Sequence, residues 1–118
     1  MEVRIGPYVD EGEREIQVRI HDYDTYSMDH TLSLIIVPML KQLKATTHGA
    51  PNIALEDVPE ELHGDEEFFE RWDWVLDEMI YAFEMESDEI QREINESMRK
   101  RTDKGFYLFG KYYRDLWD

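Results

Sequence analysis

The sequence has no cysteine, few basic residues and no long hydrophobic run. The lack of cysteine excludes disulfides, zinc–thiolate sites, iron–sulfur clusters and thiol catalysis. The longest apolar run, residues 34–40, contains a proline and is far shorter than the roughly 20 residues that a membrane-spanning helix needs. The first residues also lack the basic stretch and apolar core of a secretion signal. We therefore expect a soluble, cytoplasmic protein without membrane association.

Two kinds of catalytic motif are also missing. The six glycines are scattered, so no glycine-rich loop is available to cradle a phosphate. No serine is flanked by glycines in the way that a nucleophile elbow requires. Nucleophilic catalysis and P-loop nucleotide binding are therefore poor candidates for the function.

Acidic residues dominate what is present. Thirteen lysines and arginines stand against 28 acidic residues, which gives a formal net charge of -15. Residues 56–89 hold fifteen of the acids and a single base, Arg71. Such a field repels nucleic-acid backbones, so no direct nucleic-acid binding is expected, and it favours basic proteins or divalent cations. The same pattern is also typical of a solvated surface that only maintains solubility.

A length of 118 residues indicates one domain over residues 1–118, with a hairpin at 1–22 and a helical core at 27–118. Apolar residues alternate with polar ones at Val3 and Ile5, and again at Ile16, Val18 and Ile20. This period of two predicts two short strands, each with one buried face. The glycines and Asp10-Glu11 between them supply turn chemistry, so we expect an amino-terminal β-hairpin.

A first helix is predicted to begin at Ser27 or Asp29, which suit a helix amino terminus. Residues 32–43 are apolar almost all round, and such a helix is normally buried centrally. Pro38 should kink it because proline lacks the backbone N–H. The predicted fold is therefore mainly α (α+β): a three- or four-helix domain with a central, buried, kinked helix and a small hairpin.

A second helix is predicted from Asp65 or Glu66 to about Met85, with a broad apolar stripe that includes Trp72 and Phe83. Trp74, Tyr81 and Met85 point away from this stripe at 100° per residue. The last third, from about residue 87 to 117, is predicted as one continuous or slightly broken helix, the alternative being a break at residues 103–105.

Several blocks of the sequence, taken together, carry a resemblance to a known group of proteins. They are residues 23–32, 38–44, 48–51, 72–84 (WDWVLDEMIYAFE) and 105–118 (GFYLFGKYYRDLWD). These blocks resemble a family of small, uncharacterised proteins encoded by tailed bacteriophages. The resemblance implies a viral origin and a host-cell cytoplasmic setting, and it brings no catalytic residues to this chain.

A candidate metal site lies around the start of the first helix. His21, Asp24, Asp29 and His30 are close in sequence, and imidazole with carboxylate suits zinc, manganese or iron. No HExxH or Glu-x-x-His spacing supports the cluster, and each residue also has an ordinary structural explanation. No cofactor is predicted, and a divalent metal is the open alternative.

Carboxylates one helical turn apart suggest a second enzymatic alternative. Such pairs occur at Glu67 and Glu70, at Glu86 and Glu89, and at Glu93 and Glu96, and facing pairs can hold magnesium against a pyrophosphate. The pattern is similar to that of the all-α nucleotide pyrophosphohydrolases. The chain departs from it because its only Glu-x-x-Asp, Glu70 to Asp73, overlaps the first pair.

The leading hypothesis is a non-enzymatic phage accessory protein that binds another protein. In one version of this hypothesis, the chain inhibits a host protein by mimicking the charge of nucleic acid. Aromatic anchors within a charged rim are typical of interface hot spots. A symmetric homodimer that buries this second face of the helix is a further possibility. The predicted partner-binding residues are Asp73, Trp74, Asp77, Tyr81, Glu84 and Met85.

Overall fold

The computed structural model describes residues 1–9, 12–87 and 95–117. In these ranges the chain forms two strands and three α-helices, joined by short 3-10 turns. The strands are β1 (Glu2–Ile5) and β2 (Ile16–Arg19), and the helices are α1 (Met28–Thr46), α2 (Phe68–Ser87) and α3 (Glu96–Lys111). The predicted mainly helical fold with a small antiparallel hairpin is confirmed.

The hairpin pairs β1 with β2 in antiparallel register. Val3 lies opposite Val18 and Ile5 lies opposite Ile16, as the alternating pattern predicts. The expectation that one face of each strand is buried is wrong, because all eight strand residues are exposed. The predicted turn residues Asp10 and Glu11 lie outside the described residues.

Helix α1 begins after Ser27, as predicted, and continues through Pro38 to Thr46. Its expected central, buried position is wrong. Only Ser33 and Leu40 are buried on it, while Leu34 and Met39 are 55% and 67% exposed. Helix α1 has apolar side chains on nearly all sides, and the rest of the described chain covers only some of them. The remaining apolar side chains of α1 therefore face solvent.

The central position belongs to α2, which packs against both α1 and α3. Eight of its residues are buried, and these include the predicted stripe through Trp72, Leu76, Met79 and Phe83. Its stripe is broad because neighbours from two other helices and from the 49–67 segment meet it. Helix α3 lies close to α2 at Gly105, where an added Cβ would lie 2.5 Å from the Cβ of Ala82 and from the carbonyl oxygen of Glu78.

Helix α3 is shorter than the predicted helix of the last third. Asn95 is its N-cap and accepts a hydrogen bond from the Met98 backbone N–H at 2.8 Å, which fixes the helix start. The helix runs unbroken through Gly105 and ends at Lys111, before a 3-10 turn at Tyr113–Asp115. The predicted helical residues 88–94 lie outside the described residues.

The 49–67 segment, which connects α1 to α2, contributes to the core through Ile53 and Val58. It is anchored to α2 by Arg71, whose guanidinium donates to the carbonyl oxygens of Leu62 and Gly64, both at 2.8 Å. Arg71, the single basic residue within residues 56–89, therefore has a structural role.

The molecule is broad and thin, with extents of 46, 45 and 20 Å along its principal axes. Within the part of the chain that the structure describes, no helix combines the length and apolar character needed to cross a membrane.

Candidate functional site

The acidic residues predicted to bind a partner along α2 are partly neutralised by neighbouring helices. Lys44 of α1 contacts Asp77 at 2.7 Å, and Lys41 contacts Glu84 at 2.7 Å. The hydrogen bond to Asp77 raises the pKa of Lys44. These pairs lie near solvent, so each contributes only about 0–1 kcal/mol. They nevertheless hold the two carboxylates against α1.

The aromatic residues of the same predicted surface face α3. Tyr81 is half-buried beneath the guanidinium of Arg101, 3.7 Å from its ring centroid, and Arg101 also pairs with Glu78 at 2.7 Å. Trp74 is half-buried with Lys104 5.7 Å from its ring. These are cation–π contacts that the chain makes within itself.

Four of the six predicted partner-binding residues contact charged side chains of two neighbouring helices. Asp77 and Glu84 pair with α1, and Trp74 and Tyr81 contact cations of α3. Met85 is half-buried beside Phe106, and Asp73 remains exposed. The rings that were expected to anchor a partner therefore already contact this chain.

Unpaired acidic charge is concentrated before and at the start of α2. Glu56 pairs with Lys111 at 3.6 Å, whereas six other exposed carboxylates there form no ion pair with another described residue. We call this group the acidic surface; it consists of Glu60, Glu61, Asp65, Glu66, Glu70 and Asp73. The acidic surface lies mainly in the connecting segment, rather than along the whole of α2.

The predicted metal ligands are not brought together in the structure. His21 stacks on Tyr23 with ring centroids 5.3 Å apart, and Asp24 accepts a hydrogen bond from the His21 backbone N–H at 2.8 Å. His30 lies instead beside the end of α2, with Nδ1 3.2 Å from the carbonyl oxygen of Glu86. Among residues 1–9, 12–87 and 95–117, no three histidine, aspartate or glutamate side chains are grouped for a metal ion.

Asp29 forms a carboxyl pair with Glu86 across the α1–α2 contact. The hydrogen bond from Glu86 lowers the pKa of Asp29. Burial, followed by the interaction with Asp29, raises the pKa of Glu86. Of the predicted magnesium-binding pairs, those that include Glu89 and Glu93 extend beyond the described residues.

A concave apolar surface forms a groove between α1 and the carboxyl-terminal end of α3. We call it the α1–α3 groove; its volume is about 750 Å³. Its lining consists of Ile36, Met39, Leu40, Gln42, Leu43 and Thr46 from α1, with Phe109, Tyr113 and Leu116 from the other wall. The α1 residues recur at helical spacing, so one side of the helix forms a continuous wall. None of the lining side chains is a carboxylate, an imidazole or an amine.

A buried polar cluster fixes the second wall of the groove. The carboxylate of Asp57, only 3% exposed, accepts hydrogen bonds from the Tyr112 hydroxyl at 2.6 Å and from Lys111 Nζ at 2.7 Å. The same hydroxyl accepts a hydrogen bond from the Ala54 backbone N–H at 3.0 Å. The cluster ties the 49–67 segment to the end of α3, directly before Tyr113 of the groove.

The pKa of Asp57 reflects two opposing effects. Burial raises it, but the hydrogen bonds from Lys111 and Tyr112 favour the ionised form more strongly, so the pKa lies below its ordinary value. The hydrogen bond to Asp57 in turn raises the pKa of Lys111. Burial and the same carboxylate raise the pKa of Tyr112. All three groups therefore hold their present charge states at neutral pH.

The sequence analysis missed the groove although two of its signals were visible. Residues 32–43 are apolar on all sides, which exceeds what one contact surface needs, and Phe109, Tyr113 and Leu116 follow near the carboxyl terminus. Sequence alone does not show that α1 and α3 both pack on α2 and leave a gap between them. No protein-family model, curated protein or solved structure matches this chain.

Proposed function

We propose that this chain is a non-enzymatic protein-binding module whose α1–α3 groove holds an apolar segment of its partner. The observation that carries the proposal is the groove itself, about 750 Å³ in volume and lined mainly by apolar side chains. Met39 and Tyr113 at its edges are 67% and 61% exposed. Contiguous apolar surface of this kind on a soluble fold typically marks an interaction site.

The shape of the groove favours a helical segment as its occupant. Its wall on α1 presents Ile36, Met39 and Leu43 at steps of three and four residues. A helix laid between two helices buries its own side chains at the same spacing. An amphipathic partner helix would complete a fourth element over α2.

The acidic surface supports a partner that is basic near the docking segment. Exposed like charges raise the association rate of an oppositely charged protein, and salt screens this effect. Mimicry of nucleic-acid charge against a host protein is one form of the proposal. The resemblance of several sequence blocks to phage proteins is what supports a partner in an infected bacterial cell.

The proposal is tested by comparing two variants of α1 that carry the same substitution. Met39→Glu places a charge in the groove, whereas Leu34→Glu places it on the far side of α1, at a residue that is already 55% exposed. Wild-type protein and both variants are immobilised and exposed to a bacterial extract. We expect one protein to be retained by the wild type and by Leu34→Glu, and to be lost with Met39→Glu.

Equal retention by all three chains would contradict docking in the groove. Once the retained protein is purified, its association rate is measured at low and moderate salt. We expect the rate to fall as salt rises because the acidic surface attracts the partner. A rate indifferent to salt would reject the electrostatic contribution and leave the groove as the remaining determinant.

A further inference from the structure

The methionines of this chain differ widely in their contact with solvent. All six lie among the described residues. The two that are exposed both belong to α1: Met39 at 67% and Met28 at 51%. Met79, in contrast, is fully buried in the core on α2. The remaining three are half-buried; they are Met1, Met85 and Met98. A reagent that reaches side chains from water therefore meets Met39 and Met28 first.

Of the two exposed methionines, only Met39 lines the α1–α3 groove. It lies between Ile36 and Leu43, at steps of three and four residues, and so belongs to the wall on α1. Met28 lies about three helical turns earlier, so it projects from nearly the same side of α1 but outside the groove lining. The two residues thus share their exposure and their side of the helix, and they differ in their place relative to the groove.

An exposed methionine is open to a defined chemical change at its thioether sulfur. A lone pair of the sulfur attacks one oxygen of hydrogen peroxide and the O–O bond breaks. That oxygen stays on the sulfur, and its proton joins the displaced hydroxide as water. The sulfur is oxidised and the peroxide is reduced by the same electron pair. The product, methionine sulfoxide, is polar, and methionine sulfoxide reductases return it to methionine.

A sulfoxide at position 39 weakens the docking of an apolar segment in the groove. Its oxygen is hydrated in the open groove, and the docked segment removes this water. Of the eight other lining side chains, five are hydrocarbon and offer no hydrogen-bond donor. The Thr46 hydroxyl already donates to the Gln42 carbonyl oxygen at 2.9 Å. Burial of a polar group without hydrogen bonds is penalised, so the oxidised groove binds about tenfold or more weakly.

We infer that Met39 is a site of reversible oxidation that controls occupation of the α1–α3 groove. The thioether form accepts the apolar segment, and the sulfoxide form disfavours it. The effect on docking rests on the proposed function, because it takes the groove to be the docking site. The selectivity of the oxidation follows from exposure alone and is independent of that proposal.

The first measurement is the rate of oxidation at each methionine of the folded chain. The purified protein is treated with dilute hydrogen peroxide, and the sulfoxide at each position is quantified over time by peptide mass spectrometry. We expect Met39 and Met28 to react about tenfold or more faster than Met79, which solvent does not reach. Equal rates at Met39 and Met79, with unchanged helix content by circular dichroism, would overturn the inference whatever binds in the groove.

The second measurement compares the wild type with Met39→Leu and Met28→Leu. Leucine has a similar volume and cannot form a sulfoxide. Each chain is immobilised with and without peroxide treatment, and the protein that the wild type retains from a bacterial extract is applied after the peroxide is removed. The readout is the retention of each treated chain relative to the same chain untreated. We expect a large loss for the wild type and for Met28→Leu, recovery with methionine sulfoxide reductase, and no loss for Met39→Leu.

The outcomes separate this inference from the proposed function. Full retention by the oxidised wild type would overturn control by Met39 and leave the groove as the docking site. A loss for Met39→Leu as large as that of the wild type would place the sensitive residue elsewhere and overturn the inference as well. Failure of the groove itself is detected without any oxidant, as undiminished retention by untreated Met39→Glu.

Discussion

Gly105 shows how one residue sets the distance between two helices. A glycine inside a helix normally costs about 1 kcal/mol relative to alanine, because it adds backbone freedom to the unfolded chain. At position 105 the missing side chain is what allows α3 to lie against Ala82 and Glu78 of α2. The same residue that suggests a helix break in the sequence is thus a packing residue in the structure.

We expect Gly105→Ala to lower the free energy of unfolding by about 1–3 kcal/mol, because overpacking outweighs the gain in helix propensity. Gly110→Ala is the matched control, since nothing lies within 4 Å of a Cβ at that position of the same helix. Urea unfolding of both variants measures the difference. Equal stability of the two variants would show that α2 and α3 can separate without cost.

The hydroxyl of Tyr112 links the Ala54 backbone N–H to the carboxylate of Asp57, which Lys111 also contacts. It donates to Asp57 and accepts from the Ala54 N–H. Tyr112→Phe should therefore destabilise the protein by about 1–3 kcal/mol, the typical penalty for unsatisfied buried polar groups. Tyr113→Phe, at a neighbouring residue that is 61% exposed, should leave the thermal midpoint unchanged. A similar midpoint for both variants would contradict this role of the hydroxyl.

Asp57 also predicts a dependence of stability on pH. Its pKa in the folded protein lies below the ordinary value of 3.8, so the unfolded chain binds a proton first as the pH falls. The stabilisation by Asp57 is complete above that ordinary value and is lost as the pH drops through the lower, folded value. Unfolding free energies of the wild type and of Asp57→Asn should converge in that acidic window. Parallel curves would show that another carboxyl controls acid unfolding.

At the scale of the element, α2 packs against α1 on one side and against α3 on the other. Charged residues of α1 and α3 pair with its carboxylates at the rims, while Trp72, Leu76 and Met79 are buried beneath. Burial of the apolar stripe supplies most of the stabilisation, since each large core side chain is worth about 1.5–3 kcal/mol and each exposed pair about 0–1 kcal/mol.

Asp77→Asn together with Glu84→Gln should therefore cost no more than about 2 kcal/mol, and less at high salt. The double variant should also retain the groove-bound partner, because both carboxylates contact α1 rather than line the groove. Thermal unfolding at two salt concentrations and the retention assay measure these effects. Loss of the partner with intact folding would instead restore the interface originally predicted along α2.

The elements were predictable where the local pattern determined them. The stripe of α2 and the alternation in β1 and β2 located those elements because burial and strand register repeat with a fixed period. Which apolar surfaces would be covered was not predictable, because coverage depends on segments distant in sequence. Residues 32–43 and the hairpin both indicated burial, but the strands are exposed and only Ser33 and Leu40 of residues 32–43 are buried.

The candidate site was less predictable for the same reason. The acids at Asp77 and Glu84 were expected to face a partner, but Lys41 and Lys44 neutralise them from another helix. The α1–α3 groove depends on the distance between α1 and α3, and no pattern in the sequence predicts this distance. The position of the buried Asp57 also follows from a contact across 55 residues, with Tyr112.

At the scale of the whole molecule, charge and apolar exposure are separated. The acidic surface lies around the start of α2, the groove lies between α1 and α3, and the bare strand face lies on the hairpin. These three surfaces consist of different residues.

The thinness of the molecule has a consequence for any ligand. A body 20 Å thick along one axis has room for about two packed helices. The groove has two walls, one on α1 and one formed by Phe109, Tyr113 and Leu116, and the side chains of Met39 and Tyr113 at its edges are exposed. The occupant must therefore exclude water from the apolar side chains of the groove with its own surface. A second macromolecule is large enough to do so, whereas a small solute is not.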